Sequence, residues 1–290
     1  MTYVITGATG HLGRLVVESL LARGVPAGDV VATGRAVDTL ADLADRGVQV
    51  RHADYEDPES LRAAFAGADR VLFVSASEPG RRIPQHRNVI AAAEEAGVAL
   101  LTYTSIPNAD GTSMLLAADH QETEALLAAS GLPYALLRNG WYLENYTGQL
   151  ASYLEHGAVL GSAGEGRVSA ATRADLADAA AEVLLRDDQA GAVYELGGDE
   201  AFTLAELAAV VGEAAGREVA YQDLPVADYT AALVAAGLPE GYAAVLADSD
   251  RGLAAGDLLV TTGDLTRLIG RPTTTLREAV RAAVRERASV

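Results

Sequence analysis

Met1-Thr-Tyr-Val-Ile-Thr-Gly-Ala-Thr-Gly-His-Leu-Gly13 decides the fold of this chain. A short β-type run feeds the glycine turn Gly7-x-x-Gly10-x-x-Gly13, and Leu12, Leu15, Val16, Leu20 and Leu21 follow at helical spacing. Strand, turn and helix in that order make a pyrophosphate site for a dinucleotide. Gly7 permits the tight turn, Gly10 lets backbone approach a phosphate, and Gly13 lets helix pack closely on strand. Ala8, Thr9, His11 and Leu12 complete the turn, and the helix N-terminus offers unpaired N–H groups and a partial positive charge to the anion.

Outward from that stretch, β-type runs and helical patterns alternate as βαβ units do. Strands are expected at Tyr3–Thr6, Val30–Thr33, Val48–Ala53, Arg70–Ser75, Leu100–Thr104, Tyr134–Arg138 and Val193–Leu196, with helices near 11–23, 58–66, 84–96, 119–130, 174–186 and 203–215. The fold class is α/β, a Rossmann-type doubly wound parallel sheet. Right-handed crossovers order the first strands 3-2-1-4-5 and bring Gly7, Arg35, Asp54, Ser75 and Thr104 to strand ends around one crevice. Beyond about residue 140 the pattern loosens, at Gly157 to Arg167 and Tyr221 to Arg251, into what reads as a smaller lobe. The expected division is a dinucleotide-binding domain over 1–140, completed by segments near 165–200, with a smaller C-terminal substrate lobe over most of 141–290.

Composition narrows the chemistry. All 22 basic residues are arginine, which excludes a lysine Schiff base, a phosphate-loop lysine and a Tyr-x-x-x-Lys proton-donating pair. Forty acidic residues leave a net charge of −18, which repels nucleic acid and anionic membranes. With no cysteine there is no disulfide, thiolate nucleophile or cysteine metal site. No apolar run reaches the roughly 18 residues of a membrane span, and the first strand begins at Thr2 or Tyr3 with no secretory segment before it, so a cytoplasmic protein is expected.

Arg35 ends the second strand where an acidic residue would accept hydrogen bonds from the ribose of NAD; an arginine there suits the 2′-phosphate of NADPH. Asp54, after the third strand, either accepts from the adenine amino group or caps the helix starting near Pro58. Ser75, Ala76 and Ser77 are expected along the cofactor ribose.

Gly7-Ala-Thr-Gly-His-Leu-Gly13, Ala53-Asp-Tyr55, Ser75-Ala-Ser-Glu78, Pro84-Gln-His-Arg-Asn88, Tyr103-Thr-Ser105, Ala118-Asp-His-Gln-Glu-Thr-Glu124 and Leu136-Leu-Arg-Asn-Gly-Trp-Tyr-Leu-Glu-Asn-Tyr146 resemble the NmrA-like branch of atypical short-chain dehydrogenases, in particular its bacterial quinone-reducing members. The resemblance continues through Ala170-Ala-Thr-Arg-Ala-Asp175, Val193-Tyr-Glu-Leu-Gly-Gly198, Leu246-Ala-Asp-Ser-Asp250 and Leu268-Ile-Gly-Arg-Pro-Thr-Thr-Thr-Leu276, so it spans essentially the whole chain. It implies NADPH as cofactor, two-electron reduction of quinones without flavin or metal, and a segment facing nicotinamide and quinone at Arg138, Asn139, Gly140, Trp141, Tyr142 and Leu143. A homodimer is one assembly the sequence leaves open. Trp141 and Tyr142 are the candidate aromatic walls, and Asn139 or Asn145 the candidate donor to a quinone oxygen. Many relatives carry a lysine at the start of the helix after the fifth strand; His120 stands there instead, a candidate proton donor or a bystander, with Tyr103 and Ser105 nearby. Two other classes stay open: a non-catalytic NADP(H) redox sensor, and a reductase of another planar acceptor such as an azo compound, imine or polyketide quinone.

Overall fold

The computed structural model describes residues 1–76, 78 and 80–288. Its main sheet has seven strands, all paired in parallel, in the order β3-β2-β1-β4-β5-β6-β8. They are β1 (Tyr3–Ile5), β2 (Val30–Gly34), β3 (Gln49–His52), β4 (Arg70–Phe73), β5 (Leu100–Ser105), β6 (Tyr134–Asn139) and β8 (Val193–Leu196). The expected order of the first five strands holds. β4 ends two residues early because Val74 and Ser75 leave the ladder: their N–H groups donate to the Thr6 and Thr104 hydroxyls at 3.0 and 2.9 Å. Side chains there replace the neighbouring strand, and the crevice opens.

Strands buried on both faces need helices on both. On one side pack α1 (His11–Ala22), α8 (Arg173–Leu185) and α12 (Asp264–Ile269); Val16, Val17, Leu20, Leu176, Val183 and Leu268 share a core with Ile5, Leu72 and Leu137. On the other lie α3 (Pro58–Phe65), α4 (Arg82–Ala96) and α5 (Ala117–Ser130), where Phe65, Val89 and Leu127 meet Val31, Phe73 and Tyr103. The short α2 (Ala41–Asp45) precedes β3.

A third core belongs to the lobe. It comprises α6 (Glu144–Thr147), α7 (Leu150–His156), α9 (Leu204–Ala215), α10 (Val226–Ala235), α11 (Glu240–Ala255) and α13 (Leu276–Ala288). Inside it, β7 (Ala158–Gly161) and β9 (Ala220–Asp223) form a two-stranded parallel sheet. The sequence reading missed this pair, since Ala158-Val-Leu-Gly161 and Ala220-Tyr-Gln-Asp223 are each four residues without clean alternation. Lobe and main sheet interleave rather than follow one another: α8, β8 and α12 lie with the sheet while the segments between them build the lobe.

Candidate active site

The chain reverses direction across the sheet between β1 and β4, so the loops after their C-terminal ends part and leave a crevice. The glycine turn lies at its centre. Gly7 has φ +61°, a left-handed value that glycine adopts without strain, and its carbonyl accepts from Gly10 N at 2.9 Å. A Cβ on Gly13 would stand 2.5 Å from the Gly7 oxygen, so α1 packs here as closely as backbone allows. Thr9, Gly10 and His11 are exposed, Ala8 and Leu12 buried. Gly10 is the N-cap of α1, with no side chain capping it and no acidic residue in the first turn, which leaves the helix N–H groups open to an anion. Gly34, absent from the sequence reading, completes the turn: a Cβ there would lie 2.5 Å from the Thr9 methyl.

Around this centre the expected residues divide into two groups. Arg35 stands exposed at the end of β2, its guanidinium 3.3 Å from Glu78 across the crevice mouth. Ser75 and Ala76 are half-buried on the opposite lip, Ser75 N–H donating to the Thr104 hydroxyl. The expectation for Ser77 falls outside the described residues. Asp54 is half-buried, and its carboxylate accepts from Glu56 N at 3.0 Å in a local turn. The cap of α3 is Asp57, which accepts from Glu59 N, so the capping alternative for Asp54 is corrected.

His120 is a second correction. It is 5% exposed, on the α5 side of the sheet, with Nδ1 2.8 Å from the Tyr103 hydroxyl, itself wholly buried. Burial, reinforced by Arg82 and His86, pushes its pKa well down, so it is a neutral core residue away from the crevice surface. Ser105 donates to Glu124 in the same layer.

Arg138 is also turned away from the crevice. Its Nε donates to Glu124 at 3.1 Å, Nη1 to Asp110 and Glu195, and Nη2 to Asp110 and Glu124, which uses all five N–H donors. The guanidinium pins β6, β8, α5 and the loop after β5 together, and none of its donors remains for a cofactor. Leu143, 1% exposed, sits in the lobe core, where it was expected against the nicotinamide. Gly140 is a packing position: a Cβ would lie 2.8 Å from the Leu196 oxygen.

Asn139, Trp141 and Tyr142 do meet at the end of β6. Asn139 is 7% exposed, and its Oδ1 is buried with no hydrogen-bond partner among the described residues. Trp141 is half-buried against the lobe core, Tyr142 half-buried against the main core, and the backbone of both is laced to Ala171. The Arg173 guanidinium lies 4.4 Å from the Tyr142 ring centroid and donates to Asn145 Oδ1 at 3.2 Å. Burial raises the Tyr142 phenol pKa against the opposing pull of Arg173 and Asn139, which keeps the phenol protonated.

Three residues support the crevice; His86 and Asn88 carried a sequence signal without an assigned role, and Arg82 was missed. In Pro84-Gln-His-Arg-Asn88, His86 Nε2 accepts from Ala76 N at 3.0 Å, and Asn88 Nδ2 donates to the Tyr55 carbonyl at 2.9 Å. Arg82 Nε donates to the Ala76 carbonyl at 2.7 Å. Because His86 Nε2 accepts, its Nδ1 carries the proton and donates to Thr123. Together they fasten the two loops that form the lips of the crevice.

A glycine-turn helix terminus at the switch point of a parallel sheet defines a dinucleotide-binding α/β protein. The chain belongs to the NAD(P)H-binding family, whose model matches residues 7–187. It is 50% identical over 276 residues to quinone oxidoreductase 2 of Escherichia coli, spanning 95% of this chain and 96% of that one. A crystal structure of an NADPH-dependent quinone oxidoreductase from E. coli complexed with NADPH superposes with a TM-score of 0.94 at 49% identity, over 98% of this chain and 100% of that one. The resemblance to NmrA-like proteins is met by an NmrA-like family domain-containing oxidoreductase of Aspergillus flavus, 30% identical over 97% of this chain and 94% of its own length.

Proposed function

We propose that this protein is an NADPH-dependent reductase that converts quinones to hydroquinones by direct hydride transfer, without flavin. The observation that carries it is 50% identity, end to end, with a quinone oxidoreductase. The site's chemistry agrees. The uncapped N-terminus of α1 and the Gly7–Gly13 turn fit a pyrophosphate, Arg35 fits a 2′-phosphate, and the orphaned Asn139 Oδ1 fits the amide N–H of a nicotinamide carboxamide. When bound, NADPH supplies a hydride to the acceptor.

What the chain's own residues must do is limited. Hydride addition to a ketone leaves a strongly basic alkoxide that calls for a positioned acid, whereas addition to a quinone leaves a far less basic, phenolate-like anion. Water or one hydrogen-bond donor suffices. Asn145 and the protonated Tyr142 phenol are the donors proposed at the crevice wall, and Trp141 the flat surface against which a planar acceptor stacks. Catalysis then rests on positioning rather than acid transfer. We assign the reaction to the cytoplasm, where NADPH is kept reduced; no described helix is long and apolar enough to cross a membrane.

The test is steady-state oxidation of NADPH by the purified protein with soluble quinones and no added flavin, alongside calorimetric titration of NADPH. Turnover of planar quinones with little turnover of aliphatic ketones is expected. Tight NADPH binding with no turnover of any quinone would move the protein to the redox-sensor class.

A further inference from the structure

Arg173, the first residue of α8, has no role in the reaction proposed above. It stands at the crevice end of the sheet. Ser19 bonds to Asp178, and Arg23, four residues on, bonds to Glu182, also four residues on, so α1 and α8 run parallel and turn their N-termini the same way. The glycine turn opens at that end. Tyr142, on whose ring the Arg173 guanidinium lies, packs against the core that includes Ala8 and Leu12 of the turn.

The guanidinium is held by these neighbours without being satisfied by them. Its central carbon lies 4.4 Å from the Tyr142 ring centroid, and Nη2 donates to Asn145 Oδ1 at 3.2 Å. Among the described residues that is one hydrogen bond from a group with five N–H donors, whereas Arg138 uses all five. Its ion-pair partner, Glu144, stands 3.6 Å from Nη1, beyond hydrogen-bond length, since both oxygens of that carboxylate accept from the Arg173 backbone N–H, at 2.9 and 3.2 Å. With 20% of the side chain exposed, a charge mostly withdrawn from water has a weak counter-charge and an accessible edge. An anion is favoured at that edge, in a protein whose net charge of −18 disfavours anions elsewhere.

Tyr142 and Asn145, the residues that hold Arg173, are also the donors proposed for an acceptor oxygen, and the reaction places negative charge on that oxygen. A quinone that takes up a hydride, which is two electrons and a proton, becomes the hydroquinone monoanion while the cofactor is oxidised to NADP+. A further proton, from solvent, completes the hydroquinone. We propose that Arg173 is a catalytic residue of the acceptor site, its guanidinium meeting the oxygen on which hydride addition leaves the charge, so that the site selects planar acceptors whose reduced form is a phenolate-type anion. The identity of the acceptor rests on the quinone-reductase reading; the place of the cation rests on the contacts with Tyr142 and Asn145. An arginine stays charged at any working pH, so it stabilises the anion without transferring a proton.

The probe is para-nitrophenolate, titrated into the full chain saturated with NADP+ at a pH where the phenol is fully ionised, with para-nitroanisole as its neutral counterpart. The wild type should bind the phenolate saturably and about tenfold or more tighter than the anisole, as a charge-assisted contact requires. Arg173→Gln should lose that preference while anisole binding changes little, and its NADP+ affinity should be unchanged, which also reports that it folds. Kinetics give a second readout. The kcat of Arg173→Gln should fall by about tenfold or more with methylated quinones and by less with halogenated ones, whose hydroquinone anions are weaker bases, at an unchanged KM for NADPH. A wild type that binds the phenolate no tighter than the anisole, a preference retained in Arg173→Gln, or an equal deficit across the quinone series would each overturn the proposal. A wild type whose phenolate preference is lost in Arg173→Gln, but which turns over no quinone, would support the anion site and remove the quinone-reductase reading instead.

Discussion

At the residue scale, Arg35 and Glu78 are the pair to which the proposed reading assigns cofactor choice. Their pair across the crevice mouth occupies the guanidinium that is assigned to the 2′-phosphate, so NADPH must displace a carboxylate to be read. Arg35→Ala should raise the NADPH dissociation constant by about 10- to 150-fold, the range for a lost charge-assisted contact of roughly 1.5–3 kcal/mol, and barely change that for NADH. Equal losses with both cofactors would remove the assignment. Glu78→Gln should act oppositely: the pair is largely exposed and therefore weak, so NADPH affinity rises by no more than about fivefold. His120 illustrates a different point. Its position invited a catalytic role, but burial against Tyr103 gives it a packing role, so His120→Ala should lower the melting temperature while leaving quinone turnover at low temperature within about tenfold of wild type, because an essential general acid typically contributes roughly 10²-fold or more.

At the scale of the element, the β4–α4 connection is the part most exposed to pH. His86 is buried and neutral, its pKa pushed down to about 3 by desolvation first and Arg82 second, and His120 is depressed for similar reasons. The unfolded chain binds protons on these rings below about pH 6.5 that the folded chain refuses, so the stabilisation is complete above that pH and declines as pH falls toward 3. Asp250 works the other way between its ordinary value and about 6, favouring the folded state as pH drops. Denaturant titrations should therefore show stability falling with acid by up to about 1.4 kcal/mol per pH unit for each buried histidine, and a His86→Gln variant should have a shallower slope over that range. A slope unchanged in the variant would show that His86 titrates normally. For the glycine turn the contrast is steric: Gly13→Ala forces a Cβ against the Gly7 carbonyl, whereas Gly28→Ala meets nothing within 4 Å. The first should cost about 1–3 kcal/mol and weaken NADPH binding, the second neither.

Seven main-sheet strands and six helices were legible in the sequence because inner strands such as β1, β2 and β4 read as short apolar runs, separated at βαβ intervals by stretches long enough for a helix. The small sheet of β7 and β9 was not legible, since it draws on short runs and is held by lobe packing. The glycine turn was legible because its backbone geometry demands glycine at Gly7 and Gly13, and the sequence also placed Arg35 correctly at the end of β2. Arg138 was expected, through the resemblance, in the segment facing nicotinamide and quinone; its engagement elsewhere was not legible because its three carboxylate partners come from positions 110, 124 and 195.

At the scale of the whole molecule, Arg138 joins parts of the chain that have little else in common. Arg138→Met should destabilise the fold by about 3–5 kcal/mol, because Glu124 and Glu195 are left buried without a counter-charge. Thermal unfolding reads this directly, and a loss below about 1 kcal/mol would show that the cluster is solvated after all.

The contact between α1 and α8 has a bearing on the order of assembly. Ser19 on the helix that follows the glycine turn and Arg23, which caps its C-terminus, reach Asp178 and Glu182, about 160 positions later in the chain. Until the ribosome has released α8, the first helix has an apolar flank with nothing to lie against, and β6 lacks β8 beside it. The emerging N-terminal half is thus a sheet with one face only partly covered by α1 and one open edge, the kind of intermediate that chaperones bind and that self-associates when they do not. Slow codons between residues 140 and 196, which lengthen the life of that intermediate, are therefore expected to lower the soluble yield.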